Sequence, residues 1–389
     1  MRRKMLYIMS VSWLWIYQRP HILAQQLSGD FDVTVAYPYF SAESGRKAKD
    51  GNGLAFRRVL HIPFRERNKL AEQVFIKCNE MLVFRDIRSF DYLFIGHPVY
   101  ARFIPKEYRG KIIYDCMDNH EAMCDYESYA CNVRRLERLL IKRCDLLLVT
   151  SESLRKKADG IAGYPKSLLC RNGTSVESRP IRMPERKERY EIGYVGTVSK
   201  WFDFAMLQST RQELADITYR LIGPADRIVK ADNIIYEGSV PHEGLYERIS
   251  VCDCLIMPFL LNELTLSVDP VKLYEYIAFG KCIISVFYPE IRRFQDFVYF
   301  YHSTEEYVDL VKRLSREGFP AKYSERQRQA FLAENTWERR AAQIRAAIDE
   351  KQDYEKYVDG KYIQEKKKGD ERLRDKTGGG QNVSPCERA

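Results

Sequence analysis

The amino-acid sequence predicts an α/β protein with two domains, each built around a parallel sheet. Short apolar segments alternate with longer segments of helical periodicity through most of the 389 residues. Parallel strands joined by helices produce this alternation. The pattern stops once, over a charged stretch that contains two prolines, and then begins again. A chain of this length exceeds one ordinary core and accommodates two domains of about 150 to 190 residues each.

The first half of the chain contains five apolar segments typical of buried strands and three amphipathic segments typical of helices. The predicted strands are residues 5–11, 33–37, 92–95, 111–114 and 146–150. The predicted helices are residues 19–27, 68–84 and 129–142. Together these elements predict one Rossmann-like domain over residues 1–175.

The second half repeats the same pattern after a break. Residues 176–189 carry Pro180, Pro184 and many charges with little to bury, so we predict a linker there. Predicted strands at 192–195, 218–222, 234–236, 254–257 and 282–286 alternate with predicted helices at 204–214, 242–250, 271–279 and 305–316. They indicate a second Rossmann-like domain over residues 190–335. Residues 336–350 form an amphipathic helix, and the highly charged residues 351–389 are predicted to be disordered.

The composition is that of a folded protein in a reducing cytoplasm. Hydrophobic residues make up 45% and charged residues 30%, and no segment reaches the roughly 18 to 20 apolar residues of a membrane span. Most of the ten cysteines lie in apolar segments, where cysteine acts as a small hydrophobic residue. The net charge of +9 is spread along the chain, with one concentration of Lys and Arg over residues 366–376. This tail either contacts an anionic membrane or is simply solvated, and no nucleic-acid-binding module accompanies it.

The segment 262–281 carries the clearest chemical signal. Asp269 suits a helix N-cap and Pro270 suits the first helical position. Lys272 and Glu275 are three residues apart and share one helical face. A helix N-terminus binds phosphate, Lys272 would add a full charge, and Glu275 could accept hydrogen bonds from both hydroxyls of a ribose. The alternative is an ordinary Lys–Glu pair on a solvated surface.

Four segments occur in an order that is typical of one enzyme family. They are residues 12–24, 193–197, 221–224 and 261–281, which include the sequence Pro-Val-Lys-Leu-Tyr-Glu-Tyr at 270–276. These motifs resemble glycosyltransferase family 4 of the GT-B class. The resemblance implies a GT-B fold, with two Rossmann-like domains facing each other across a cleft. It also implies a metal-independent transferase whose only co-substrate is a nucleotide-sugar, UDP- or GDP-linked.

The resemblance also assigns residues to the donor side of the cleft. Gly196 would let backbone amides approach a phosphate, and Lys200 either neutralises the leaving diphosphate or is an exposed lysine in a turn. Retaining members of the family carry two glutamates separated by seven residues, and the earlier position here is Ser267, with Glu263 four residues further back. The stereochemical outcome therefore stays open. The donor-binding candidates are Gly196, Thr197, Lys200, Gly223, Ser267, Asp269, Lys272, Leu273 and Glu275.

Candidates for catalysis and acceptor binding lie in the first half. An inverting transferase needs a base that takes a proton from the acceptor hydroxyl, and Asp118, His120 and His97 follow predicted strands. Asp118 could instead cap the next helix. On the acceptor side, Trp15 offers an aromatic face for a sugar, while Arg19 and His21 suit an acidic or phosphorylated group. The alternative is that the tryptophan loop only packs between domains.

Three functions are compatible with these observations. The first is sugar transfer to a polysaccharide or a lipid-linked precursor of cell-surface glycan. The others are a sugar-nucleotide 2-epimerase and a catalytically silent module that holds a nucleotide-sugar or an assembly partner. A dehydrogenase is excluded because no Gly-x-Gly-x-x-Gly follows the first strand. A metal-dependent transferase is disfavoured because the one Asp-x-Asp sequence, at 30–32, precedes a strand. We predict no metal, a cytoplasmic location and no nucleic-acid partner; membrane contact through the tail would place the protein at the inner face of the membrane.

Overall fold

Two separate parallel sheets dominate the computed structural model, which describes residues 2–40, 53–226, 228–240 and 242–350. The first sheet has seven strands in the order β3-β2-β1-β4-β5-β6-β7, all paired in parallel. Its strands are β1 (Lys4–Ile8), β2 (Asp32–Tyr39), β3 (Ala55–Leu60), β4 (Tyr92–Ile95), β5 (Lys111–Cys116), β6 (Leu146–Val149) and β7 (Ser167–Leu169). Its helices are α1 (Arg19–Leu27), α2 (Lys69–Leu82), α3 (Glu127–Arg143) and α4 (Glu152–Ala162).

The second sheet has six parallel strands in the order β10-β9-β8-β11-β12-β13. Its strands are β8 (Tyr190–Val195), β9 (Ile217–Ile222), β10 (Ile234–Gly238), β11 (Cys254–Met257), β12 (Cys282–Val286) and β13 (Tyr299–Tyr301). Its helices are α5 (Phe204–Ser209), α6 (His242–Ser250), α7 (Val271–Ala278), α8 (Thr304–Arg316) and α9 (Glu325–Glu334). Strand order reverses beside β1 in one sheet and beside β8 in the other, and such switch points form ligand-binding crevices at the carboxyl ends of strands.

Central elements match the sequence prediction better than peripheral ones. The predicted bounds of α1, α6, β11 and β12 agree with the structure, whereas β3, β7, β13, α4 and α9 were not predicted. The strands β3, β7 and β13 are edge strands of the two sheets. Their side chains are partly exposed, so they lack the continuous apolar sequence of a central strand. The helix α5 ends at Ser209 instead of residue 214, because the chain turns there.

A last helix, α10, begins at residue 337 and extends to residue 350. Trp337, Ile344 and Ile348 belong to the hydrophobic core that lies between the first sheet and α1. The chain therefore crosses from the first sheet to the second and later returns. The two crossings run side by side: the amide of Thr174 donates to the carbonyl of Asn335 at 2.9 Å. A side chain at Gly173 would come within 2.9 Å of the Thr336 backbone.

Residues 176–189 are held along the second domain by ion pairs, and they bury little, as expected: none of them is fully buried and most are exposed. The carboxylate of Asp253, which is 1% exposed, accepts hydrogen bonds from Arg182 at 2.5 Å and Lys187 at 2.9 Å. It also accepts the amide of Glu191 at 2.9 Å. A buried carboxylate requires such partners, so the charges of this stretch hold it in place.

One carboxylate of the second domain caps a helix of the first. Glu290, in the 3-10 helix after β12, accepts the amides of Glu152 at 2.9 Å and Ser153 at 3.4 Å. These are the first residues of α4, whose positive end favours an anion. Arg171 also pairs with Glu290. This contact fixes one domain against the other.

The described residues contain no helix whose length and apolar character would allow it to cross a bilayer. The predicted charged tail, residues 351–389, and its basic cluster at 366–376 lie outside the described residues. Their predicted disorder and membrane contact therefore stay predictions.

Replacing Trp337 with alanine tests whether the last helix stabilises the first domain. The indole is 2% exposed within that core, and we expect Trp337→Ala to lower the free energy of unfolding by about 3–5 kcal/mol. Urea unfolding followed by fluorescence and circular dichroism measures it. Trp15→Ala is the matched control. Trp15 is 53% exposed, so its replacement should leave the free energy of unfolding unchanged. Equal stability of both variants would contradict the packing of this helix.

Candidate active site

Two glycine turns at the carboxyl edge of the second sheet meet a lysine of α7. Gly196 follows β8 with φ +131°, and Gly223 follows β9 with φ +139°. Only glycine adopts such conformations readily. A Cβ at Gly223 would overlap the carbonyl of Gly196, and a Cβ at Gly196 would overlap the Cε of Lys272. The structure thus brings three predicted donor-side residues into direct contact.

Lys272 has no anionic partner among the residues that the structure describes. Its Nζ lies 5.5 Å from the ring centre of Tyr194 and 5.7 Å from that of Phe259, so aromatic faces support the charge. Among the described residues, no hydrogen bond or ion pair involves this ammonium. It is available to an anion placed on the glycine turns.

Glu275 lies almost one turn further along α7 and is partly buried. Burial raises the pKa of Glu275 to about 7, although the charge of Lys272 acts in the opposite direction. Within the described part of the chain its carboxylate accepts no hydrogen bond. Leu273 was also predicted to bind the donor, but its side chain is 0% exposed and lies in the hydrophobic core of the second domain. Leu273 therefore anchors the helix and its side chain does not face a ligand.

Asp269 does not cap α7, so that prediction is wrong. The N-cap residue is Pro270, which provides no side-chain cap. The Asp269 carboxylate instead accepts the hydroxyl of Tyr274 at 2.9 Å and the amide of Asn172 at 2.7 Å, and it pairs with Arg293. Because its oxygens already have these partners, the carboxylate of Asp269 is not free to bind a ligand. The contacts also fix the start of α7 against the segment that connects the two domains.

The remaining donor-side candidates already have local partners. The Ser267 hydroxyl donates to the carbonyl of Leu264 at 2.7 Å, and Ser267 is 3% exposed. The carbonyl of Thr197 accepts the Tyr194 hydroxyl at 2.9 Å. Lys200 donates to Asp125 of the first domain at 3.0 Å. Both side chains of this pair are more than half exposed, so it contributes little stability.

Asp118 lies just beyond β5 at the edge of the first sheet. Its carboxylate is partly buried and has no hydrogen-bond partner among the described residues. Burial, together with the negative charge of Asp115, raises the pKa of Asp118 to about 7, and the charge of Arg19 opposes this shift. A carboxyl with this pKa can take up a proton near neutral pH.

The rings of His97 and His120 pack against each other beside this edge, with their centres 4.5 Å apart and their planes tilted by 52°. Burial lowers the pKa of His120 to about 4, and it lowers that of His97 well below its ordinary value. Both imidazoles are therefore neutral at pH 7. The Nδ1 of His97 accepts the amide of Val99 at 3.1 Å, whereas the Nε2 of His120 is buried without a partner among the described residues.

Arg19 and His21 do not face an acceptor, which corrects the prediction for both. Arg19 is 3% exposed and donates to both oxygens of Asp115, at 2.7 and 3.0 Å. His21 is 2% exposed; its Nδ1 accepts the amide of Gln18 at 3.3 Å, and its Nε2 contacts the carbonyl of Trp13 at 3.2 Å. Both side chains stabilise the first loop. Trp15 is exposed, as an acceptor contact requires.

Asn172, to which the sequence analysis assigned no role, connects the two sides of the cleft. Its Oδ1 accepts from Arg19 at 3.3 Å, and its Nδ2 donates to the carbonyl of Asp269 at 2.6 Å. A continuous polar chain therefore runs from Asp115 through Arg19 and Asn172 to the start of α7. The nearest sequence signal was the break in the strand–helix pattern over residues 176–189, which begins four residues after Asn172.

Comparisons with known proteins bear on the family and the fold. A family model described as "Glycosyl transferase-like" matches residues 204–346. The putative teichuronic acid biosynthesis glycosyltransferase TuaH of Bacillus subtilis is 24% identical over 244 residues, which cover 57% of this chain and 61% of TuaH. The chain thus spans less than two thirds of that relative's length. The resemblance identified from the sequence is confirmed.

Solved structures show the fold. The trehalose 6-phosphate synthase of Burkholderia multivorans superposes with a TM-score of 0.64 at 9% identity, covering 92% of this chain and 99% of that chain. The E. coli trehalose-6-phosphate protein bound with UDP-2-fluoro glucose gives 0.60 at 10% identity, covering 88% and 98%. Starch synthase IV of Arabidopsis thaliana, bound to ADP and acarbose, gives 0.57 at 11% identity, covering 89% and 98%. The protein has the predicted GT-B fold.

We expect Asp118→Asn to stabilise the protein most at alkaline pH. Because the pKa of Asp118 is raised from 3.8 to about 7, the native state binds more protons than the unfolded state between these values. Stability from this group therefore falls as the pH rises from about 4 to 7. Asparagine carries no charge, so the cost of burying an ionised carboxylate is removed. The free energy of unfolding should therefore rise by roughly 1–3 kcal/mol at pH 8 and be unchanged near pH 4. Melting temperatures across this range measure it. Asp125→Asn, at an exposed position, is the control, and parallel profiles for both variants would refute the assignment.

Gly223→Ala tests the contact between the two glycine turns. Gly238 also has positive φ, +68°, but open space surrounds its Cβ position. Gly238→Ala should cost only about 1–2 kcal/mol for the left-handed backbone. Gly223→Ala should cost more, roughly 3 kcal/mol, because the turn at Gly196 must also move. Chemical denaturation of both variants decides, and equal costs would mean that the two turns do not touch.

Proposed function

We propose that this GT-B protein is a glycosyltransferase that moves a sugar from a nucleotide-sugar to a polysaccharide or lipid-linked precursor of cell-surface glycan. One observation carries the proposal. Lys272 and Glu275 lie on the same helix beside the glycine turns of Gly196 and Gly223, and neither side chain has a polar partner among the described residues. A nucleoside diphosphate would satisfy both, with its phosphates at Lys272 and its ribose hydroxyls at Glu275.

The relatives support the same reading. TuaH is described as a putative teichuronic acid biosynthesis glycosyltransferase. Two of the structural neighbours hold UDP-2-fluoro glucose and ADP. These names favour a nucleotide-sugar donor and a cell-envelope polysaccharide as the product. They also favour a cytoplasmic enzyme that works on the inner side of the membrane, where nucleotide-sugars and lipid-linked acceptors meet.

In the mechanism we propose, the edge of the first sheet activates the acceptor and the edge of the second sheet binds the donor. A hydroxyl oxygen of the acceptor forms a bond to the anomeric carbon of the donor sugar, and the bond from that carbon to the diphosphate breaks. Asp118 takes the proton of the hydroxyl, for which a pKa of about 7 is well matched. Lys272 and the amides of the glycine turn stabilise the charge on the leaving diphosphate. Lys200 could assist after its pair with Asp125 opens.

His120 and His97 are the alternative bases, since neutral imidazoles accept protons. His120 fits better, because its Nε2 has no partner among the described residues, whereas the Nδ1 of His97 already accepts an amide. Their packing against each other also suits a supporting role, in which the pair keeps water out of that edge.

A catalytically silent module is the second candidate, and one observation favours it. Ser267 occupies the position of the earlier glutamate of retaining relatives, and its hydroxyl is held by the carbonyl of Leu264. A donor sugar would find no carboxylate there. Such a module would bind a nucleotide-sugar without transferring or hydrolysing it.

Donor binding is the first test of the proposal. We expect one of UDP-, GDP-, dTDP- or ADP-glucose to raise the melting temperature without added metal. At a hundredfold excess over Kd the stabilisation is about 2.7 kcal/mol. Glu275→Ala should weaken binding at least tenfold, because two ribose hydrogen bonds are lost. Glu263→Ala is the matched control: this glutamate lies in the same segment but is exposed, and its loss should change nothing.

Two outcomes would overturn parts of this proposal. No thermal shift with any nucleotide-sugar, in a protein that folds normally, would contradict the donor site itself. Binding that Glu275→Ala abolishes, but with neither hydrolysis nor transfer to a membrane extract or glycan acceptor, would establish the silent module instead of the enzyme.

A further inference from the structure

Arg65 lies in the segment between β3 and α2, at the carboxyl edge of the first sheet. Its guanidinium carbon is 4.3 Å from the ring centre of Phe75 and 5.8 Å from that of Tyr129. The Nε atom is fully buried and has no hydrogen-bond partner within the described residues. Aromatic rings therefore hold this side chain in place through its planar face.

Within residues 2–40, 53–226, 228–240 and 242–350, no carboxylate pairs with this arginine. In the part of the chain that the structure describes, none of its nitrogen atoms takes part in a hydrogen bond or an ion pair. Arg102, which lies close by, shows the usual arrangement: it pairs with Glu72 at 2.9 Å. A partly buried guanidinium carries five donors that need acceptors, and leaving them unpaired destabilises the fold.

The surroundings of Arg65 connect it to the candidate catalytic edge. Burial lowers the pKa of His97 well below its ordinary value, and the nearby charges of His120, Arg65 and Arg102 lower it further. Burial raises the pKa of Tyr129, while the charge of Arg65 opposes that shift. His97 and Tyr129 are neutral at pH 7, so neither of them compensates the positive charge of Arg65 beside the edge that carries Asp118.

We propose that Arg65 binds an anionic group, phosphate or carboxylate, on the acceptor substrate. This inference rests on the proposed function, because it names the acceptor chemistry of the same cleft. A planar guanidinium matches the paired oxygens of either group and binds them in a bidentate manner. The sequence analysis predicted that Arg19 would bind an acidic or phosphorylated acceptor, but Arg19 donates its hydrogen bonds to Asp115. Arg65 would bind that acceptor group instead. Phosphate would indicate a lipid-linked acceptor, and carboxylate an acidic polysaccharide.

Calorimetric titration of small anions into the full chain tests this assignment. The probes are methyl phosphate and glucuronate, with glucose as the neutral comparison. All titrations use the Lys272→Ala background, which removes the charge of the donor side. Binding of one anion there should weaken at least tenfold in Arg65→Gln, since a charge-assisted pair is lost. Arg65→Lys should retain part of it. Arg67→Gln is the matched control, because Arg67 is an exposed arginine two residues away.

Stability separates a binding role from a structural one. Removing an unpaired charge should leave the melting temperature of Arg65→Gln unchanged or higher, whereas loss of a structural arginine would lower it. Binding of methyl phosphate alone identifies a phosphorylated acceptor, and binding of glucuronate alone identifies an acidic sugar. The proposal is overturned if neither anion binds, or if Arg65→Gln binds as well as Arg67→Gln. These results do not depend on nucleotide binding, so the donor site can fail or succeed separately.

Discussion

The buried pair between Arg19 and Asp115 is the interaction on which the cleft depends. Arg19 belongs to α1 and Asp115 to β5, so the pair fixes the first loop against the centre of the first sheet. Through Asn172 the same guanidinium reaches Asp269 at the start of α7. Removing one partner would leave an uncompensated buried charge. This chain of polar contacts, together with the contact of Glu290 with α4, holds the carboxyl edges of the two sheets in position relative to each other.

The cleft differs from the rest of the protein in how its charges are satisfied. Away from it, buried carboxylates such as Asp253 and Glu290 have two or more partners each. At the cleft, within the described residues, Lys272, Glu275 and Asp118 have none. Unsatisfied charge costs stability, and sites that bind ligands commonly accept this cost. This contrast supports the proposal that these three groups face a substrate.

Sequence reasoning succeeded where the chemistry is local and failed where it depends on distant partners. Lys272 and Glu275 lie on one helix as predicted, because residues three apart in a helix share a face. Asp269 was mistaken for a cap because its partner Asn172 is 97 residues away, and Arg19 for an acceptor contact because Asp115 is 96 residues away. Arg65 was overlooked because β3, an edge strand with two arginines, lacks an apolar run. Without that strand, the segment after it could not be placed at the cleft.

Because the last helix returns to the first sheet, the first domain consists of two separate segments of the chain. The acceptor-side unit is discontinuous in sequence, since Trp337 and Ile344 complete the core beside α1. A chimera that exchanges acceptor specificity with a relative must therefore transfer residues 337–350 together with the first domain. Exchange at a single boundary near residue 175 would pair a foreign helix with a native core. Evolution of new acceptors by domain shuffling faces the same constraint, which favours change within loops instead.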